Sequence, residues 1–81
     1  MKVDVKLFAR ARDVAGSDTV ELDLPDGAVV SDLRRCLGDT IPALGPMVAS
    51  LLVAVGTDYA TDVTPLAGAE QVACFPPVSG G

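Results

Sequence analysis

Val3, Val5 and Leu7 alternate with Lys2, Asp4 and Lys6 at the start of the chain, and a period of two means a strand with one buried and one wet face. A chain that opens this way needs a second layer to cover the apolar face. Val20, Leu22 and Leu24, alternating with Glu21 and Asp23, predict a second strand after the polar connection Ala9 to Asp18, so the first two strands read as an antiparallel hairpin. After the turn Pro25-Asp26-Gly27 the spacing changes. Val30, Leu33 and Leu37 recur at three and four, the signature of a short amphipathic helix that starts at Ser31-Asp32 and stops by Gly38, because Pro42, Gly45 and Pro46 follow and none of them continues a helix well.

The continuous run Leu51-Leu52-Val53-Ala54-Val55 predicts a third, central strand buried on both faces. Thr57 to Val63 reads as a turn and a brief edge strand, and Leu66 as a lone apolar anchor. Val72-Ala73-Cys74-Phe75 is the last strand, whose apolar composition suggests a central position beside the first; Pro76-Pro77 ends it because proline cannot donate to a sheet ladder. The whole is an α+β domain in two layers, a mixed sheet with one main helix packed across one face.

Composition narrows the function. The chain has 81 residues, with Lys+Arg 6 against Asp+Glu 11 and a formal net charge of -5. A chain this short buries only about 60% of its unfolded surface, which leaves room for one modest core and no enclosed active site. Four Arg and two Lys among eleven carboxylates make nucleic acid and anionic membranes unsuitable partners, since both are bound through neutralised phosphates. An anionic substrate would be held by a second, more basic protein. The charged opening is no signal peptide and no apolar run spans a bilayer, so a cytoplasmic protein is expected.

Catalytic side chains are scarce. With no histidine, and Cys36 and Cys74 far apart in sequence, neither a catalytic triad nor a zinc site of the usual kind can be assembled. No metal is expected. Both cysteines read as small buried hydrophobes, unpaired in a reducing compartment. Acidic pairs such as Asp58 and Asp62, or Asp23 and Asp26, read as solvated faces.

What remains is the end of the chain, Phe75-Pro76-Pro77-Val78-Ser79-Gly80-Gly81. Two prolines stiffen its exit from the sheet, and residues 76–81 can reach about 20 Å from the body. Gly80 and Gly81 carry no Cβ, so the tip can enter a channel closed to other residues and deliver a carboxylate.

This ending, the opening Leu7-Phe8-Ala9-Arg10-Ala11-Arg12 with Val14-Ala15-Gly16, and the approach Leu66-x-Gly68-x-Glu70-x-Val72 together resemble the MoaD/ThiS family of ubiquitin-like sulfur carriers, to which the small subunit of molybdopterin synthase belongs. The resemblance implies a β-grasp (ubiquitin-like) fold, with 1–75 as a single domain and 76–81 as an extended tail. It further implies that an E1-like adenylyltransferase uses ATP to activate Gly81. A sulfur donor protein then displaces AMP to leave a C-terminal thiocarboxylate, and no cofactor is bound by the chain itself. In the family the tail enters a large catalytic subunit, in a two-plus-two complex. There the sulfur is passed to a cyclic pyranopterin monophosphate in molybdenum cofactor biosynthesis. The chain would thus be the sulfur-donating, non-catalytic part of a transferase.

On this reading Gly81 carries the acyl chemistry and Gly80 gives access, while Pro76, Pro77 and Ser79 complete the partner-binding tail. Phe75 and Val78 are candidates for apolar docking, with a core position for Phe75 equally open. Two alternatives share the same tail: a carrier for thiazole or cysteine biosynthesis, and a ubiquitin-like modifier joined to lysines through Gly81.

Overall fold

The computed structural model of the chain describes residues 1–67 and 71–77. The strands are β1 (Lys2–Leu7), β2 (Thr19–Asp23), β3 (Leu52–Val55), β4 (Asp58–Tyr59) and β5 (Val72–Phe75), and the helices are α1 (Ala9–Ala15) and α2 (Val30–Thr40). A 3-10 segment, Pro42–Ser50, follows α2. The strands form one mixed sheet in the order β2-β1-β5-β3-β4. β5 lies parallel to β1, with Val5 opposite Val72 and Leu7 opposite Cys74, and antiparallel to β3. This is the β-grasp arrangement.

The alternation in β1 does what its period requires. Val3, Val5 and Leu7 are buried while Lys2, Asp4 and Lys6 are exposed, and Val72 and Cys74 of β5 continue the apolar face. Val30, Leu33 and Leu37 of α2 close over it, with Leu22, Leu24, Leu44, Val53 and Leu66 filling the same core. No polar or charged residue is buried among the described residues.

The segment between Arg34 and Leu66 is tied down by polar groups. The first N–H groups of a helix have no partner within it, and here Val30 N–H donates to Thr64 O at 3.0 Å and Ser31 N–H to Asp62 O at 3.0 Å. The Asp32 carboxylate accepts the Val29 N–H at 2.9 Å, which also places a negative charge in the first turn. Arg34 reaches across the layer below. Its Nη1 donates to Val48 O at 2.5 Å and Leu51 O at 2.7 Å, and its Nε pairs with Asp62 at 2.8 Å.

Four expectations need correction. The connection from β1 to β2 contains α1, a seven-residue helix anchored by the buried Ala11; too short for a periodic stripe, it left no pattern to read. It ends at Gly16, whose φ of 75° is a left-handed cap and whose N–H donates to Arg12 O at 2.9 Å. Second, α2 does not stop at Gly38 but runs to Thr40. Third, Pro42–Ser50 is helical rather than irregular, because a 3-10 turn tolerates the Pro and Gly spacing that breaks an α-helix. Fourth, β3 is not buried on both faces, and the central place in the sheet belongs to β5, as its apolar composition suggests. Only Val53 of β3 is fully buried.

Gly38 gives a test of this packing. A Cβ built there would lie 3.6 Å from Gly45 Cα and 3.7 Å from Val48 Cγ1, which is ordinary contact. Gly38→Ala should therefore stabilise the fold by about 0.5–1 kcal/mol through helix propensity. Arg34→Ala, which strands two carbonyls and Asp62, should destabilise it by about 2–4 kcal/mol. Urea denaturation of the two variants checks both signs.

Candidate functional site

β5 delivers the C-terminal segment. Its alternation puts Val72 and Cys74 into the core and turns Ala73 and Phe75 to the opposite, open face of the sheet. Phe75 is half-buried there and is not a core residue. Pro76 and Pro77 follow outside any strand. Val78, Ser79, Gly80 and Gly81 lie outside the described residues.

Phe75 is the middle of an aromatic ridge. Its ring meets Phe8 edge-on at a centroid distance of 6.4 Å and Tyr59 at 5.8 Å, the T-shaped geometry in which a positive ring edge faces a negative ring face. Lys6 Nζ lies 5.9 Å from the Phe8 centroid. Leu52 sits opposite Phe75 and Ala54 lies between Ala73 and Tyr59 in the register, so the floor around the ridge is apolar. Phe8 is 41% and Tyr59 73% exposed. Exposed aromatics gathered beside a chain terminus form a surface suited to a protein partner.

Phe8 reaches the ridge because β1 ends beside β5, where Phe8 N–H donates to Cys74 O at 3.2 Å. Tyr59 arrives on the edge strand β4. Sequence reasoning singled out Phe75 but assigned no role to Phe8 or Tyr59. The parity of β5, with Phe75 out of step with Val72 and Cys74, was a usable sign that it faces away from the core. The convergence of three rings needed the strand order.

The remaining chemistry is muted. Among the described residues no group of three or more Cys, Asp or Glu side chains could hold a metal ion, and no helix is long and apolar enough to cross a membrane. Cys36 and Cys74 are both free. Cys74 is fully enclosed, and burial pushes its thiol up from 9.0 to about 11 against a smaller lowering by the Arg34 charge.

Residues 5–81 match the model of the ThiS family. The chain is similar to the molybdopterin synthase sulfur carrier subunit of Chlamydomonas reinhardtii, 34% identical over 83 residues with 100% of each chain covered. It is also similar to small archaeal modifier protein 1 of Haloferax volcanii, 36% identical over 84 residues, covering 94% of this chain and 97% of that one. The crystal structure of the Haloferax protein superposes with a TM-score of 0.89 at 34% identity, over 100% of both chains. A Pyrococcus furiosus structure described as molybdopterin converting factor subunit 1 gives a TM-score of 0.85 at 34% identity, covering 96% of this chain and 99% of that one.

Cys74 supplies a direct check on the environment of β5. The raised thiol favours the protonated native state, so its contribution to stability is complete below pH 9 and is lost as pH rises through about 11. Unfolding followed by circular dichroism should show this alkaline loss, and Cys74→Ala should remove the part of it that belongs to the thiol. Native protein at pH 8 should leave Cys74 unmodified by iodoacetamide, whereas urea-unfolded protein should react.

Proposed function

The chain belongs to the ThiS family, and from that membership we propose that it is a sulfur carrier subunit whose C-terminal Gly81 bears the transferable sulfur in molybdopterin synthesis. The observation that carries this reading is that the family match runs through residue 81 and so includes the Gly80-Gly81 end. The full-length similarity to a protein named molybdopterin synthase sulfur carrier subunit supports the same assignment.

A carboxylate is a weak acyl donor, so activation comes first. A carboxylate oxygen of Gly81 attacks the α-phosphorus of ATP on an E1-like adenylyltransferase, pyrophosphate leaves, and an acyl-adenylate results. Sulfur from a donor protein then attacks the carbonyl carbon and AMP departs. Delivered as hydrosulfide it gives the thiocarboxylate directly, and delivered as a persulfide it gives an acyl disulfide, from which a thiol reductant releases the thiocarboxylate as a disulfide forms on the donor side. The thiocarboxylate sulfur next displaces an oxygen substituent from a carbon of the pyranopterin acceptor, a cyclic monophosphate held by a large catalytic subunit. Water then hydrolyses the acyl–sulfur bond, which leaves the sulfur on the acceptor and returns the Gly81 carboxylate. The acidic carrier leaves binding of that anion to the larger partner, whose Lys and Arg groups also complement the carrier's own charge.

In this scheme the aromatic ridge of Phe8, Tyr59 and Phe75 is where the partners grip, and the prolines set the direction in which Val78 to Gly81 leave the body. Gly80 lets the tip pass a narrow channel. The chain carries no resident cofactor, acts in the cytoplasm where ATP is available, and assembles with the large subunit as a two-plus-two complex.

A second reading is favoured by one specific observation, the similarity to small archaeal modifier protein 1 over nearly the whole chain. In it the adenylated Gly81 is attacked by a lysine amine of another protein, and an isopeptide bond forms as AMP leaves. Both readings share the first step and differ in the nucleophile.

Intact mass spectrometry after incubation with the adenylyltransferase, ATP and the sulfur donor separates them. The expected result is a mass gain equal to one sulfur-for-oxygen exchange, absent in the variant lacking Gly81. Adenylation without exchange, together with a Gly-Gly remnant on lysines of other proteins, would replace the carrier by the modifier. Failure of both would remove the acyl chemistry altogether.

A further inference from the structure

The sheet has a second usable surface, at the edge opposite β4. Among the described residues β2 is an end strand and pairs only with β1. Met1 N donates to Leu24 O at 2.6 Å and Leu24 N–H to Met1 O at 2.8 Å, while Leu7 N–H donates to Asp18 O at 2.8 Å. The alternation of an antiparallel ladder then directs the backbone groups of Asp18, Val20, Leu22 and Leu24 towards β1. Thr19, Glu21 and Asp23 turn theirs outward. Ser17 occupies the first of these, its Oγ donating to Thr19 O at 2.9 Å and accepting the Thr19 N–H at 3.4 Å. Glu21 and Asp23 therefore present two consecutive outward frames, each an N–H and a C=O.

Beside those frames lies a groove. Asp23, Leu24 and Pro25 at the end of β2 face Asp32, Arg35, Cys36 and Asp39 of α2 across a cavity of about 230 Å³. Its apolar floor is Leu24, Pro25 and Cys36, and its rim is acidic. Arg35 is drawn towards Asp32 at 4.0 Å, and the Met1 ammonium lies 3.7 Å from Asp23. Asp39 has no ion pair among the described residues, and carboxylates outnumber cations around the groove.

We propose that the β2 edge and this groove dock an extended, lysine- or arginine-bearing segment of a partner protein, which joins the sheet as a sixth strand. Main-chain bonds to Glu21 and Asp23 would hold the segment, and alternate side chains would fall over the groove, where the aliphatic part of a lysine or arginine suits the floor and its charge the rim. β1 separates this surface from β5, so the proposal stands whether Gly81 carries sulfur or is joined to lysines.

The test is an amide NMR titration of the full chain with an acetylated hexapeptide alternating lysine and valine, and with a control alternating glutamate and valine. The expected result is shift changes in residues 18–25 and 32–39 with slowed exchange of the Glu21 and Asp23 amides. Affinity should fall at least ~10-fold between ~50 and ~500 mM salt. Glu21→Pro removes an outward N–H and no bond to β1, so it should abolish binding in a folded protein. Should that variant not fold, Asp39→Lys, which alters only the exposed rim, should weaken binding at least ~5-fold. No shifts at ~2 mM peptide, equal response to the glutamate control, or shifts centred on Phe8, Tyr59 and Phe75 would each overturn the proposal.

Discussion

The parallel pairing of β1 with β5 is the constraint on which the rest of the molecule depends. Parallel neighbours cannot be joined by a tight turn, so the chain from Phe8 to Gln71 forms one long crossover that contains every other element. Closing a loop of that length costs chain entropy before any contact forms. The pairing is stable because Val5, Leu7, Val72 and Cys74 put their side chains into the same core as Leu33 and Leu37. It also determines where the C-terminal segment begins, since a strand with ladders on both sides cannot shift without breaking both.

The aromatic ridge is a consequence of that pairing. Phe8 follows the last residue of β1 and Phe75 ends β5, so parallel alignment brings the two rings to the same end of the sheet. The antiparallel addition of β3 and then β4 carries Tyr59 to the other side of Phe75. Three aromatics from distant parts of the sequence thus surround the root of the tail, and the position of that root is as fixed as the core beneath it.

Much of this was legible in the residues because it is periodic. The alternation of Val3, Val5 and Leu7 and the three-four spacing of Val30, Leu33 and Leu37 report burial directly, and the Gly80-Gly81 end is a linear signal that needs no folding to be seen. Features without a period were missed. α1 buries only Ala11; the apolar run Leu51 to Val55 hid the fact that Leu52 and Ala54 face the open side, where the neighbouring ridge rather than a second layer half-covers them. Gly38 resembled a helix stop because glycine is common just past a helix end, although here it lies inside α2 with room for a Cβ. The ridge itself lay beyond sequence reasoning, since it exists only once the strand order is known.

The distribution of charge follows the same geometry. On the open face the apolar residues gather around β5, β3 and β4, while Lys2, Asp4, Glu21 and Asp23 occupy the β1 and β2 side. Charges on an edge strand normally guard it against uncontrolled pairing, and Ser17 adds to that guard by taking up the outward groups of Thr19. Guarding is selective here: an acidic edge repels another copy of the same acidic strand but attracts a basic one. In the proposed scheme a single tail would engage one enzyme at Gly81 at a time, so successive partners would exchange at the ridge. The β2 edge would be under no such restriction, and a segment held there could stay in place through each exchange.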